Sequence, residues 1–313
     1  MISFGPVPSR RLGKSLGINN IPGEKKCSYS CIYCQVGATK HYCFDRKPFY
    51  EPSVIFDEVS EHLEKLADSD KPDYLTFVAN GEPTLDINLG KSIEKLKTLH
   101  IPIAVITNAS LLKDQKVRDE LQLAEWVSVK IDTGCEVIWK KLNRPMGKID
   151  FETYVKGLTA FSNEFKGVLA TETMLVEGIN DTRELIAQTA ELVLSVAPAT
   201  GYISIPTRPP AVSFVQPSSE MIINESYQIF TEKGVNTELI LGFEGTHTGF
   251  TGNVLEDIIN ICSVHPIRED TMQELLKKDQ ADPTVLETLL YHNDIQKVEY
   301  NQSIFLSENF GIK

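Results

Sequence analysis

The sequence predicts an α/β fold, a partial (β/α)6 barrel of the TIM type followed by a small winged-helix-like α+β appendage. Three observations predict it. Short β-rich runs alternate with amphipathic helical stretches from residue 15 to about residue 240. The connections are short, which favours parallel strands joined by right-handed crossovers. After Gly242-Phe-Glu-Gly the alternation stops, and three helical stretches and a hairpin follow. The expected boundary therefore falls at residue 243, with a barrel over 1–243 and an appendage over 244–313.

Taken in order, Ser15–Asn19 is the first expected strand, running into a cysteine-rich loop. Val54, Ile55, Val59, Leu63 and Leu66 recur at helical spacing over 52–67. Asp73–Val78 reads as a strand, and Leu89, Ile93 and Leu96 line one face of a helix over 89–99. Ile103–Thr107 and Trp126–Lys130 are strands, each followed by a helix, near 114–123 and 151–161. Val168–Val176 is the fifth strand, after which Asp181 is expected to cap a helix through Val196. Tyr202–Ile205 is the sixth strand, with a helix over 220–232 and a further edge strand over 236–241. In the appendage, helices are expected over 253–262, 269–278 and 283–291, and a hairpin pairs 295–300 with 303–306 across Asn301-Gln302.

At 313 residues and 42% hydrophobic, the chain is long and apolar enough to bury a sizeable core. Met1-Ile-Ser-Phe-Gly-Pro-Val-Pro-Ser-Arg-Arg lacks the apolar run of a signal peptide, and no stretch approaches the ~18 apolar residues of a membrane span. A cytoplasmic protein with no membrane partner is expected. Six cysteines, three of them clustered, fit a reducing compartment and a metal site better than a disulfide framework. The net charge of -12 disfavours a protein built to coat nucleic acid. Residues 1–48, however, carry eight basic residues against Glu24 and Asp45, a local +6 that suits an anionic partner such as RNA. Its alternatives are contacts to a cofactor carboxylate or to the acidic body. Residues 263–313 hold five basic residues against nine carboxylates, so the appendage suits packing or protein contact better than reading DNA.

The chemistry concentrates in Cys27-Ser-Tyr-Ser-Cys31-Ile-Tyr-Cys34. Three thiolates at this spacing converge on one inorganic centre and leave a coordination position open. A closed zinc site takes four ligands, whereas an iron–sulfur cubane held by three cysteines keeps one iron for another molecule. Tyr33, just before the last cysteine, is placed to shield that corner. The alternative is a zinc site completed by Cys43 or His41. Asn80-Gly81-Glu82-Pro83-Thr84 directly follows the second strand. Gly81 admits close backbone approach, and Pro83 biases Glu82 to an extended conformation. Glu82 is thereby presented at the C-terminal rim of the sheet, where parallel α/β sheets bind ligands.

The cysteine run with an aromatic before its third cysteine, followed one βα unit later by Gly-Glu-Pro, resembles the radical S-adenosylmethionine (SAM) superfamily. The resemblance implies a [4Fe-4S] cluster on Cys27, Cys31 and Cys34, with SAM chelating the fourth iron. It implies that Gly81, Glu82 and Pro83 hold the methionine moiety, and that reductive cleavage of SAM yields a 5′-deoxyadenosyl radical that abstracts a substrate hydrogen. Asn108, Lys130 and Asp132 at strand ends are then candidates for ribose, carboxylate or substrate contacts, and Asn180 for the turn beside the adenine. A low-potential donor of the flavodoxin or ferredoxin type is the implied electron source.

Phe4 to Asn19, the segment Cys34-Gln-Val-Gly, Thr207-Arg-Pro-Pro210 and Val264-His-Pro-Ile-Arg268 are similar to the radical SAM group related to wyosine-type tRNA synthases. That group carries a second cluster on upstream cysteines, and no cysteine precedes Cys27 here. A second cluster would have to use Cys43, Cys135 and Cys262. Arg208 is the candidate for gripping a substrate carboxylate or phosphate, and His247 is more simply a structural residue of a Gly-rich linker. Three readings stay open: a radical SAM enzyme acting on a tRNA base, one acting on a small molecule or protein side chain, and a non-catalytic iron–sulfur or zinc module.

Overall fold

A computed structural model describes residues 2–242, 254–278, 281–282 and 284–309. The chain opens with β1 (Ser3–Ser9), which turns back antiparallel onto β2 (Gly13–Ile18). The two-residue strands β3 (Lys26–Cys27) and β4 (His41–Tyr42) bracket the cysteine loop. Then follow α1 (Pro52–Lys65), β5 (Tyr74–Phe77), α2 (Leu89–Leu96), β6 (Ile103–Thr107), α3 (Gln115–Leu121) and β7 (Trp126–Lys130). Next come α4 (Glu136–Leu142), α5 (Phe151–Glu164), β8 (Val168–Met174), α6 (Arg183–Val196), β9 (Thr200–Ser204), α7 (Glu220–Glu232) and β10 (Thr237–Ile240).

One eight-stranded sheet, in the order β1-β2-β5-β6-β7-β8-β9-β10, curls into a half-barrel. From β2 to β10 every neighbour pair is parallel, as the alternating pattern predicts. The expected edge strand is present as β10, paired in parallel with β9. Strand interiors such as Leu75, Phe77, Val105, Val127 and Val129 are buried under α1, α2, α3, α5 and α6 in one contiguous core. Helix starts are fixed chemically: Asp114, Asp150 and Ser219 each accept a backbone N–H of the following turn. One cap differs from expectation. Thr182, not Asp181, caps α6, because Asp181 accepts instead from the Gly178 N–H at 2.9 Å and the Ser218 hydroxyl at 3.0 Å.

Among the elements that were not expected, β1 and α4 are the longest. β1 carries Pro6 and Pro8, which argue against a strand, yet it lies at the sheet edge, where a missing N–H is tolerated. Its Phe4 ring lies on Gly17 of β2, where a Cβ would come within 2.1 Å of the ring. His62 of α1 pins the strand, with Nδ1 2.9 Å from the Ser3 hydroxyl and Nε2 3.0 Å from the Gly5 carbonyl. The other element is α4, whose seven residues are too short to show a helical period but long enough to bury Trp139 and Leu142.

Beyond the barrel, α8 (Val254–Val264), β11 (Ile267–Arg268), α9 (Glu269–Lys278), α10 (Thr284–Tyr291), β12 (Ile295–Tyr300) and β13 (Ser303–Glu308) match the expected helices and hairpin. The hairpin gains β11 as a third strand, in the order β11-β13-β12. The expected helix starts at Asn253 and Pro283, the boundary at 243/244 and His247 lie outside the described residues. Ile258, Ile261, Met272, Leu275 and Leu306 form a separate core that also takes in Phe4 of β1. Among the described residues, no helix is long and apolar enough to cross a membrane.

Candidate functional site

The predicted site residues gather at one end of the sheet, on the segments that leave the C-terminal ends of successive strands. Glu82 follows β5, Asn108 follows β6, Asp132 follows β7, Asn180 follows β8 and Arg208 follows β9. The cysteine loop crosses this rim after β2. It is fastened to the Glu82 segment by a pair of backbone hydrogen bonds: Lys26 N–H donates to the Asn80 carbonyl at 3.1 Å, and Glu82 N–H donates to the Lys26 carbonyl at 3.0 Å. Gly81 makes this approach possible with φ of 136°. Glu82 itself is extended, with φ −116° and ψ 111°, as the following Pro83 requires. Pro83 opens a single 3-10 turn and accepts at its carbonyl from the Asn20 amide at 3.1 Å.

All six cysteines are free. Each sulfur of the loop meets an N–H donor. Asn108 Nδ2 lies 3.4 Å from Cys27 Sγ, Asn143 Nδ2 lies 3.4 Å from Cys31 Sγ, and Lys25 Nζ lies 3.1 Å from Cys34 Sγ. Donors aimed at sulfur suit thiolate ligands and tune a bound cluster. Without a metal, burial pushes the Cys27 thiol up to about 12 and the Cys31 thiol up to about 11. A metal centre bound by these sulfurs would displace their protons to solvent.

Glu82 is 1% exposed. Its Oε1 accepts from Thr84 N–H at 3.1 Å and from the Thr84 and Thr107 hydroxyls, each at 2.6 Å. Its Oε2 accepts from Asn108 N–H at 2.7 Å. All four donors are neutral. Burial raises the Glu82 carboxyl, and these hydrogen bonds offset part of the rise. A carboxylate held this way, beside three cysteines, is a prepared seat for a cationic ligand group.

On the other side of the loop, Tyr33 donates to Asp132 Oδ2, which also accepts from Asn143 Nδ2 at 2.6 Å. Lys130 Nζ lies 5.1 Å from the Tyr33 ring centroid, 3.7 Å from Asp132 and 3.2 Å from Glu172. Glu172 also accepts from Arg11 and from the Ser204 hydroxyl, the latter at 2.8 Å. Burial works against its charge, but Lys130 and Arg11 outweigh it and hold the carboxyl far below its usual range. Asn180 is committed to the backbone: its amide donates to the Asp132 and Met174 carbonyls at 2.8 and 2.9 Å, and it accepts from Val176 N–H at 2.9 Å. Arg208 bridges the rim, with NH1 3.2 Å from Gln35 and NH2 2.8 Å from His265 Nε2.

A cavity of about 310 Å³ opens from Tyr33, Cys34 and Gln35 into the barrel, past Lys130, Glu172 and Ser204. The β1 segment and His265 wall its far side. The remaining cysteines are not brought together. Cys43 faces the Asp45 carbonyl, Cys135 precedes α4, and Cys262 is buried on α8 against the Leu306 carbonyl. Among the described residues no three His, Cys, Asp or Glu side chains are grouped as for a single metal ion.

A family profile described as the Radical SAM superfamily matches residues 24–192, more than half of the chain. The chain belongs to the radical SAM superfamily. A UPF0026 protein of Methanocaldococcus jannaschii is 44% identical over 310 residues, covering 98% of this chain and 96% of that protein. Among solved structures, a radical SAM methyltransferase from Sphaerobacter thermophilus aligns with TM-score 0.55 at 13% identity, over 72% of this chain and 66% of that one. Streptococcus suis SuiB bound to S-adenosylmethionine aligns with TM-score 0.52 at 10% identity, over 72% and 51%. These two share the radical SAM fold with this chain, which is an enzyme of that superfamily. Sequence reading missed Lys25, Thr107, Asn143, Arg11, Glu172 and His265. Glu172 carried a local signal, a charge inside a strand otherwise written Val-Leu-Ala-Thr-Thr-Met around it, and His265 lies in the Val264–Arg268 stretch already singled out.

Proposed function

We propose that the chain holds a [4Fe-4S] cluster on Cys27, Cys31 and Cys34 and binds SAM against it, with the SAM ammonium on Glu82. When bound, the pair supplies a 5′-deoxyadenosyl radical by one-electron reductive cleavage of SAM. The residues present fit that pair by the chemistry of their donors: three free thiols, each with an N–H donor on its sulfur, and a buried carboxylate with neutral partners only. The single observation that carries the reading is Glu82, because burying a carboxylate without a cation is costly and a ligand ammonium offsets the cost.

The chain's own residues do the positioning. Lys25, Asn108 and Asn143 orient the sulfurs, and Thr84 and Thr107 fix the Glu82 rotamer. Tyr33, held by Asp132, forms the wall between the cluster loop and the cavity, where the substrate hydrogen is presented. A small-molecule substrate is favoured over a tRNA base by the fate of the basic N-terminal segment. Arg10 donates to the Gly242 carbonyl at 2.7 Å, Arg11 to Glu172, Lys25 to Cys34 and Arg46 to Glu120, all inward or along the rim. We assign residues 1–243 to the catalytic barrel and 244–313 to a unit that walls the cavity through His265 and takes Phe4 of β1 into its core.

Anaerobic reconstitution with iron and sulfide tests the reading. About four irons per chain, and 5′-deoxyadenosine on adding dithionite and SAM, are expected. Stoichiometric zinc with no cleavage of SAM would overturn it.

A further inference from the structure

The outer side of the cysteine loop is a surface of opposite sign to the rest of the protein. Residues 137–149 hold Lys140, Lys141, Arg144 and Lys148 and no carboxylate, in a chain whose net charge is -12. All four side chains are exposed, and among the described residues only Lys140 has a carboxylate partner, Glu136 at 2.6 Å. A second run, 40–47, adds the exposed Lys40 and Lys47 against Asp45, while its Arg46 is turned inward onto Glu120. The two runs meet: the Tyr42 hydroxyl donates to the Arg144 carbonyl at 3.1 Å, and Tyr29 bridges to Pro145. Apolar side chains lie within the patch, with Val137 73% and Tyr42 40% exposed.

This surface is coupled directly to the cysteine ligands. Cys43 N–H donates to the Cys27 carbonyl at 2.9 Å, Met146 N–H to the Ser28 carbonyl at 2.8 Å, and Ile32 N–H to the Leu142 carbonyl at 2.9 Å. No residue of either run lines the cavity inside the barrel. The patch therefore stands at the back of the cluster loop, away from the space that receives substrate. The bland reading of such a run is a solvated helix end, since cations are favoured at the C-terminus of α4. That reading covers Lys140 and Lys141 but not Arg144, Lys148 or the second run.

We infer that the surface formed by Lys141, Arg144 and Lys148 with Tyr42 and Val137 is the docking face for a small acidic one-electron carrier protein. The inference rests on the cluster reading above, which requires an external electron. Complementary charge steers such an encounter and sets its orientation, while a small apolar centre suits the weak, short-lived contact typical of electron-transfer pairs. An RNA substrate would be drawn to the same cations but would have to present its base to the cavity, whose walls exclude this patch.

The test measures equilibrium binding of an acidic flavodoxin and of a two-cluster ferredoxin to the reconstituted protein, in the wild type and in Lys141→Glu, Arg144→Glu and Lys148→Glu, singly and together. The triple variant is expected to weaken carrier binding at least about tenfold, and wild-type binding is expected to fall steeply between low and physiological salt. Iron content and dithionite-driven 5′-deoxyadenosine formation should persist in the variants. Their loss in the wild type would sink the cluster reading instead. Carrier binding unchanged by charge reversal overturns the inference, as does loss of tRNA binding in the triple variant with carrier binding intact. Lys148→Ala, at an exposed loop position, provides a milder variant should the reversals impair folding.

Discussion

A Cβ built on Gly81 would lie 1.7 Å from the carbonyl oxygen of Lys26, the residue before Cys27. The contact is backbone against backbone, so no side chain can move to make room. It also falls at φ of 136°, where L-residues are strained. Gly81→Ala should therefore destabilise the protein by at least ~2 kcal/mol. Because the two strands of this contact carry Glu82 and Cys27, the variant should also lose iron to a chelator faster than the wild type. Denaturant unfolding and iron release measure the two effects, and an unchanged midpoint would show that the loop shifts at no cost.

Lys25 makes a prediction about potential. Burial alone would lower its ammonium, but the sulfurs of Cys34, Cys27 and Cys31 outweigh burial and keep it charged. An ammonium donating to a ligand sulfur stabilises the reduced, more negative cluster. Lys25→Met should make reduction harder by roughly tenfold, ~59 mV for a one-electron couple. A redox titration followed by electron paramagnetic resonance reads the shift, and Lys25→Arg should restore most of it. Equal midpoints in Lys25→Met and wild type, at equal iron content, would exclude a tuning role.

Glu82 offers one acceptor direction to a ligand, since Oε1 receives three donors and Oε2 only the Asn108 N–H. Glu82→Gln keeps the size but turns one acceptor into a donor facing donors. SAM affinity of the reconstituted protein should fall by about 10- to 100-fold, the loss expected for a charged hydrogen bond. Equilibrium dialysis with labelled SAM measures it. Glu82→Asp should fail as well, because the shorter side chain withdraws from Thr107.

Much of this site was legible because spacing and chemistry coincide in the sequence. Cys27, Cys31 and Cys34 lie within eight residues, and Glu82 announces its conformation through its neighbours Gly81 and Pro83. What was not legible depends on contacts between distant segments. Lys25 reads as one more basic residue until the loop folds Cys34 onto it. Thr107 reads as a strand end until β6 lies beside the Glu82 turn. Pro6 and Pro8 hid β1, since only its position at the sheet edge makes them acceptable. Thr182 displaced Asp181 as the cap of α6 because Ser218, 37 residues later, engages the aspartate.

The pairing of Glu172 with Arg11 and Lys130 gives a prediction in pH. The carboxyl is 12% exposed and bonded to both cations, which hold it far below the ~4.3 of an unfolded glutamate. Below about pH 5 the unfolded chain therefore takes up a proton at this position that the native protein refuses. The unfolded state binds more protons, so stability is fully present above that range and is lost as pH falls. Glu172→Gln lacks this proton linkage. The variant should be less stable than wild type at pH 7, by about 3 kcal/mol, because Arg11 and Lys130 lose their shared partner. Between about pH 4 and pH 3 the gap should narrow, by up to ~1.4 kcal/mol per pH unit. Urea unfolding of both proteins across pH 7 to 3 measures the two slopes. Parallel curves would mean that the carboxyl titrates in the native barrel as it does in the unfolded chain, so that Arg11 and Lys130 do not hold its charge.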